Sequence, residues 1–215
     1  GRQLAEQSQP VAEVDERLVG DRDGERGARL HADPSVQPAR RLGFVPGGSA
    51  TALFEGLDIG GHIDASGPFG RFCLMPGDQN RRYLLIATGT GVTPYRAMLP
   101  QLKKLMDERD VQVVLLFGSR TEEDLIYRED FYKFAEDNRN FRFMPSFSRE
   151  MPENATDDAR RGYVQNQLAE LNPNGAHDIA YLCGNPNMVD TCFEALKEFG
   201  LSVHHIRREK YVSSK

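Results

Sequence analysis

The stretch YLLIATGTGVTPYRAML, residues 83–99, decides the architecture of this chain. Tyr83 to Ala87 form a short apolar run with the composition of a strand buried on both faces. The run passes directly into Ala87-Thr-Gly-Thr-Gly-Val-Thr-Pro94, and Pro94 suits the first turn of a helix. From Pro94 to Glu108, Met98, Leu99, Leu102, Leu105 and Met106 recur at helical spacing and predict one apolar face. Small residues in the intervening turn let a bound group approach the backbone, and a helix N-terminus favours an anion. Thr88, Gly89, Thr90 and Gly91 are therefore the first candidate binding residues.

Strands and helices continue to alternate downstream. VQVVLLFG at 111–118 reads as a second buried strand, and Glu129 to Glu136 as a helix with Phe131, Phe134 and Ala135 inward. Phe141 to Phe147 reads as a third strand, Val164 to Leu171 as a helix, and DIAYLCG at 178–184 as a fourth strand. Asn187 to Phe199 is a helix ended by Gly200, and Ser202 to Ile206 a closing strand with His204 and His205 on opposite faces. Such alternation predicts an α/β fold, a doubly wound five-stranded parallel sheet over 81–215.

The text upstream is different. Residues 47–80 hold a short helix, Ala50 to Glu55, and a strand around His62 to Ser66. Residues 1–46 carry seven Arg, eight acids and no Lys, with Phe44 the one aromatic. A segment this polar buries little apolar surface to offset its ordering entropy, so weak structure or an aberrant stretch is expected there.

Composition excludes several function classes. The 215 residues carry a net charge of −5, which argues against a nucleic-acid binder with a broad basic face. No apolar run approaches the roughly 20 residues that cross a bilayer. Cys73, Cys183 and Cys192 show no C-x-x-C spacing, and the five His show no metal-ligand spacing, so no metal centre is expected. The first residues lack the apolar core of a signal peptide and an initiator Met, which suggests a fragment or processed chain. Sparse cysteines make a cytoplasmic setting the expectation.

Four ordered blocks carry a family resemblance: GPFG (67–70), ATGTGVTPYRAML (87–99), LLFGSRTEEDLIYREDF (115–131) and YLCGNPNMV (181–189). From about Gly47 onward the chain resembles the ferredoxin-NADP reductase family, particularly its bacterial flavodoxin- and ferredoxin-linked members. The resemblance implies a two-domain flavoprotein. An antiparallel flavin barrel, incomplete here, would end within residues 47–80 and precede the NADP-binding domain. It implies NADP(H) and FAD as cofactors, hydride transfer between them, and a ferredoxin or flavodoxin as electron partner.

The resemblance also assigns residues. Arg120, Ser148, Arg149 and Arg161 stand where relatives grip the 2′-phosphate, with Arg160 the neighbouring candidate for the last place. A dianion favours several planar guanidinium forks. Tyr163 stands where some relatives stack a Tyr on adenine. Cys183 is expected beside the nicotinamide as a polarizable, non-nucleophilic catalytic contact, with Gly184, Asn187 and Met188 lining the same pocket. Glu209 and Tyr211 resemble a C-terminal run near the flavin. Gly48, Ser49 and Thr51 are the candidate FAD contacts.

Residues 1–46 contain no Tyr and no match to the Arg-x-Tyr-Ser or Thr segment by which relatives hold the flavin ring. Two other readings therefore stand beside the first: an NAD(P)H:flavin reductase or oxygenase reductase component, and a non-catalytic nucleotide-binding fragment. An acidic electron partner requires a basic face. Arg71, Arg81, Arg82, Arg207, Arg208 and Lys210 are its candidates.

Overall fold

A computed structural model describes residues 72–211 and the isolated positions 52 and 56. The expectations placed on residues 1–46, on GPFG and on Gly48, Ser49 and Thr51 lie outside the described residues. The chain divides into two units, Gly1–Gly70 and Arg71–Lys215, and the described architecture belongs to the second.

That unit is a parallel sheet of six strands, β1 (Arg82–Thr88), β2 (Gln112–Ser119), β3 (Phe141–Phe147), β4 (Arg160–Arg161), β5 (Asp178–Gly184) and β6 (Ile206–Lys210). Their spatial order is β4-β3-β2-β1-β5-β6. The chain winds outward from β1 through β2, β3 and β4, then returns to place β5 on the other side of β1. Leu85 is thereby paired with Leu115 on one side and Tyr181 on the other.

Both faces are covered, as the uninterrupted apolar runs require. On one face Leu84, Ile86, Leu116, Met144, Ala180 and Leu182 form a single core with residues of two helical segments. Those are the 3-10 turn Val164–Gln167 continuing into α3 (Leu168–Leu171), and α4 (Pro186–Glu198). The opposite face takes α1 (Thr93–Arg109) and α2 (Arg128–Asp137). Tyr95 of α1 is wholly buried, its hydroxyl 2.7 Å from the Tyr181 carbonyl. The α2 rings of Phe131 and Phe134 meet Phe143 and Phe141 at 5.4 and 4.8 Å. Each fully buried side chain of this size stabilises by roughly 1.5–3 kcal/mol, and both faces of the sheet carry several of them.

Three expectations require correction. The sheet has six strands, because Arg160–Arg161 pair with Ser146 and Phe147. The closing strand begins at Ile206, four residues later than predicted. Residues 203–205 form a 3-10 turn, in which the Ser202 hydroxyl accepts from the His204 N–H, so His204 and His205 are not strand neighbours on opposite faces. Residues 72–80, expected to finish the preceding domain, are fastened to this unit. The Tyr181 hydroxyl accepts from the Met75 N–H at 2.9 Å, and Arg109 donates to the Asp78 and Asn80 carbonyls at 2.6 and 3.0 Å.

No helix among the described residues is long and apolar enough to cross a membrane.

Candidate functional site

The reversal of winding direction between β1 and β5 opens a crevice above the C-terminal ends of the strands, where ligands bind in open α/β sheets. A cleft of about 670 Å³ lies there. Its floor is built from strand ends: Thr88, Gly89 and Thr90 after β1, Gly118 and Ser119 at β2, Gly184 and Asn185 at β5. Packing explains why glycine fills these places. A Cβ on Gly184 (φ +132°) would lie 2.6 Å from the Thr88 carbonyl oxygen. One on Gly118 would lie 2.8 Å from Val164. Side chains at either position would collide with Thr88 or Val164, so glycine is what lets the elements forming the floor come together.

The two helices that open at the cleft differ. Asn185 caps α4, its side chain accepting from the Asn187 and Met188 N–H groups at 2.9 and 3.4 Å. The start of α1 and the short turn Gly89–Val92 before it carry no side-chain cap. The glycine turn therefore keeps N–H groups that no side chain claims, whereas two of those at the start of α4 are already taken by Asn185.

Of the residues singled out by sequence, Thr88, Gly89, Thr90, Arg120, Ser148, Tyr163, Gly184, Asn187, Met188 and Tyr211 line the cleft. Gly91, Arg149, Arg161 and Cys183 do not. Gly91 lies behind the floor, packed against Cys183 and Gly184. Arg149 adjoins Arg120 through its backbone, its N–H donating to the Arg120 carbonyl at 3.0 Å. Arg161 lies on β4, beside Phe147, and its side chain has no ion-pair partner among the described residues. Its neighbour Arg160 is committed to Glu170 and to the Asp157 and Ala159 carbonyls, which leaves Arg161 the freer of the two.

Cys183 is wholly buried, and burial pushes its thiol up to about 12. It is in hydrogen-bonding contact with the Tyr211 hydroxyl, and Tyr211 lines the cleft. The protonated thiol thus reaches the site through a neighbour rather than by direct exposure.

Sequence reasoning passed over Gly118, Asp124, Ile126, Gln165 and Thr191 as lining residues. Asp124 had a local signal, its position four residues after Arg120. Gly118 lies two residues before Arg120, Ile126 two after Asp124, Gln165 two after Tyr163 and Thr191 three after Met188, so each sits on a segment already represented in the cleft.

The basic candidates divide. Arg82, at the N-terminal end of β1, is committed to the buried Asp178. Lys210 pairs beside Gly184 at the cleft end of the sheet and, with Arg208, faces Asp190.

A doubly wound parallel sheet with a glycine-floored cleft at its switch point defines a dinucleotide-binding α/β domain. A family profile described as the oxidoreductase NAD-binding domain matches residues 85–193. The chain belongs to the ferredoxin-NADP reductase family of oxidoreductases. It is 34% identical to ferredoxin-NADP reductase B of Sorangium cellulosum, over 78% of this chain and 69% of that protein. It is 36% identical to the aromatic O-demethylase reductase subunit of an Amycolatopsis species, over 78% of this chain and 49% of that one. The phenol hydroxylase P5 protein of Acinetobacter pittii is 32% identical, over 79% and 48%. Among solved structures, the Amycolatopsis reductase GcoB matches with a TM-score of 0.68 and 34% identity, over 79% of this chain and 50% of that one. The chain thus spans about half the length of several relatives that it matches.

Proposed function

We propose that the described unit binds NADP(H) in a flavin-dependent reductase that passes electrons to a protein acceptor. The observation that supports this most is the cleft itself: glycine strand ends beside an uncapped helix start, with Arg120, Ser148 and Tyr163 at one side and Tyr211 at another. A pyrophosphate fits the uncapped turn, since glycine permits close approach and the open helix start attracts the charge. An adenosine 2′-phosphate fits the region of Arg120 and Ser148, with Arg149 next in the chain after Ser148 and Arg161 two residues before Tyr163. Tyr163, 61% exposed, offers a ring face for adenine. The cofactors, when bound, supply hydride transfer between the nicotinamide and FAD.

The protein's own contribution is binding, orientation and exclusion of water. Gly91 and Gly184 bring the ends of β1 and β5 together, and this fixes the direction from which a ring can enter. Cys183 stays protonated across the physiological range and so offers a neutral, polarizable surface rather than a nucleophile. FAD comes to this reading through the family, and its candidate contacts lie outside the described residues.

The electron partner is read as a ferredoxin or flavodoxin. Direct transfer to an oxygenase component is the second reading, favoured by relatives named as reductase components of phenol hydroxylase and aromatic O-demethylase systems. Calorimetric titration of the chain with NADP+ tests the central claim. Saturable one-site binding, lost with Gly91→Val because its side chain collides with the Cys183 backbone behind the floor, is expected. Absence of binding by the wild-type chain overturns it.

A further inference from the structure

The cleft holds a carboxylate where the proposed reading places an anion. Asp124 and Arg120 both line it, and they form a bidentate pair, Nε to Oδ2 at 2.7 Å and Nη2 to Oδ1 at 3.0 Å. The arginine fork is thus already filled in the geometry that a phosphate would use. The pair is anchored locally. The Leu125 N–H donates to the Glu122 carbonyl and the Ile126 N–H to that of Asp124, so a tight turn carries the carboxylate into the cleft. Ile126, two residues on, lines the same wall. Asp124 is one-third exposed and Arg120 61% exposed, so the pair faces the ligand space rather than the core.

A carboxylate at this point has two opposite effects. It competes with a phosphate dianion for the Arg120 fork and repels it. It also accepts hydrogen bonds from a ribose diol. Arg149 and Arg161 lack such a partner among the described residues, so Asp124 acts on the one arginine of the three that lines the cleft.

We propose that Asp124 is a specificity-determining residue that holds down the affinity of Arg120 for the adenosine 2′-phosphate and so narrows the discrimination between NADP(H) and NAD(H). This rests on the reading of the cleft as a dinucleotide site.

Two probes separate the claims: 2′,5′-ADP, which carries the 2′-phosphate, and 5′-ADP, which does not. Binding of each to the full chain is measured for wild type, Asp124→Asn, Arg120→Gln and the double variant. Asp124→Asn is expected to raise the ratio of 2′,5′-ADP to 5′-ADP affinity about tenfold or more, as removal of a competing like charge should. The gain should vanish in the double variant and shrink at high salt. A ratio within about twofold of wild type overturns the proposal while leaving the dinucleotide reading intact. So does a gain that persists without Arg120. Failure of every protein to bind either probe overturns the dinucleotide reading and this inference with it. Should Asp124→Asn fold poorly, Asp124→Ser gives the same comparison, because Asp124 is one-third exposed and lies outside the buried core.

Discussion

A Cβ placed on Gly91 would lie 2.3 Å from the carbonyl oxygen of Cys183. The contact joins the turn after β1 to the last residues of β5, across the point where the winding of the sheet reverses. It is a backbone-to-backbone approach, so neither partner can rotate away. Gly91→Ala should therefore destabilise the unit by about 1–3 kcal/mol, the usual cost of overpacking, and weaken dinucleotide binding. Gly89 provides the contrast: its φ is +54° but nothing lies within 4 Å of a Cβ there. Gly89→Ala should cost only about 1–2 kcal/mol of backbone strain, with the floor geometry retained. Urea unfolding and NADP+ titration of both variants check the difference; equal binding losses would contradict it.

Coenzyme choice depends on the arginines. Arg149→Ala should weaken NADPH binding by about 1.5–3 kcal/mol, the scale of a charge-assisted hydrogen bond. NADH binding should change little. Arg160→Ala should leave both unaffected in preference, because Arg160 serves Glu170. Parallel titrations with the two coenzymes decide it, and equal losses for both with Arg149→Ala would remove Arg149 from the phosphate site.

The cysteines should differ in chemistry. Cys73 is exposed, whereas Cys183 and Cys192 are buried with thiols pushed up to about 12. Iodoacetamide at pH 8 should modify Cys73 in the folded protein and the other two only on unfolding. Cys183→Ser should slow flavin reduction in a flavin-loaded sample with nearly unchanged NADPH affinity, through its contact with Tyr211. Peptide mapping and a single-turnover measurement test the two halves of this expectation separately.

Alkali should weaken the fold. The Cys183 and Cys192 thiols, ordinarily ionising near 9, and the Tyr181 phenol, ordinarily near 10, are all pushed up to about 12 by burial. Desolvation penalises the charged form, so the folded state keeps protons that the unfolded chain releases. This stability is fully present below about pH 9 and is lost as pH rises toward 12. Each group contributes a slope of at most roughly 1.4 kcal/mol per pH unit within its window. Urea midpoints should be insensitive to these groups between pH 7 and 8.5 and fall steeply above 9; a midpoint unchanged to pH 10.5 would refute the account.

Much of this was legible locally. YLLIA, VQVVLLFG and DIAYLCG announce strands buried on both faces because they lack any polar alternation, and α4 ends where Gly200 follows it. β6 was misplaced because only Ile206 of its five residues is buried. An edge strand of that kind carries no period-2 signal, and the turn before it has only Val203 as an apolar residue. β4 has two residues and exists only through its pairing with β3.

The sequence by itself determined the alternation of strands and helices, the glycine turn after Tyr83 to Ala87, and the family to which they belong. These rest on residues adjacent in the chain, whose spacing fixes which faces can be buried. Only the tertiary structure decided that β5 lies beside β1, with Tyr181 against Leu85, and so where the cleft opens. It alone decided that Cys183 sits behind the floor while Asp124 enters the cleft and takes the fork of Arg120. Strand order and side-chain pairing are settled by the burial of surfaces brought together from distant parts of the chain, and no local pattern encodes them.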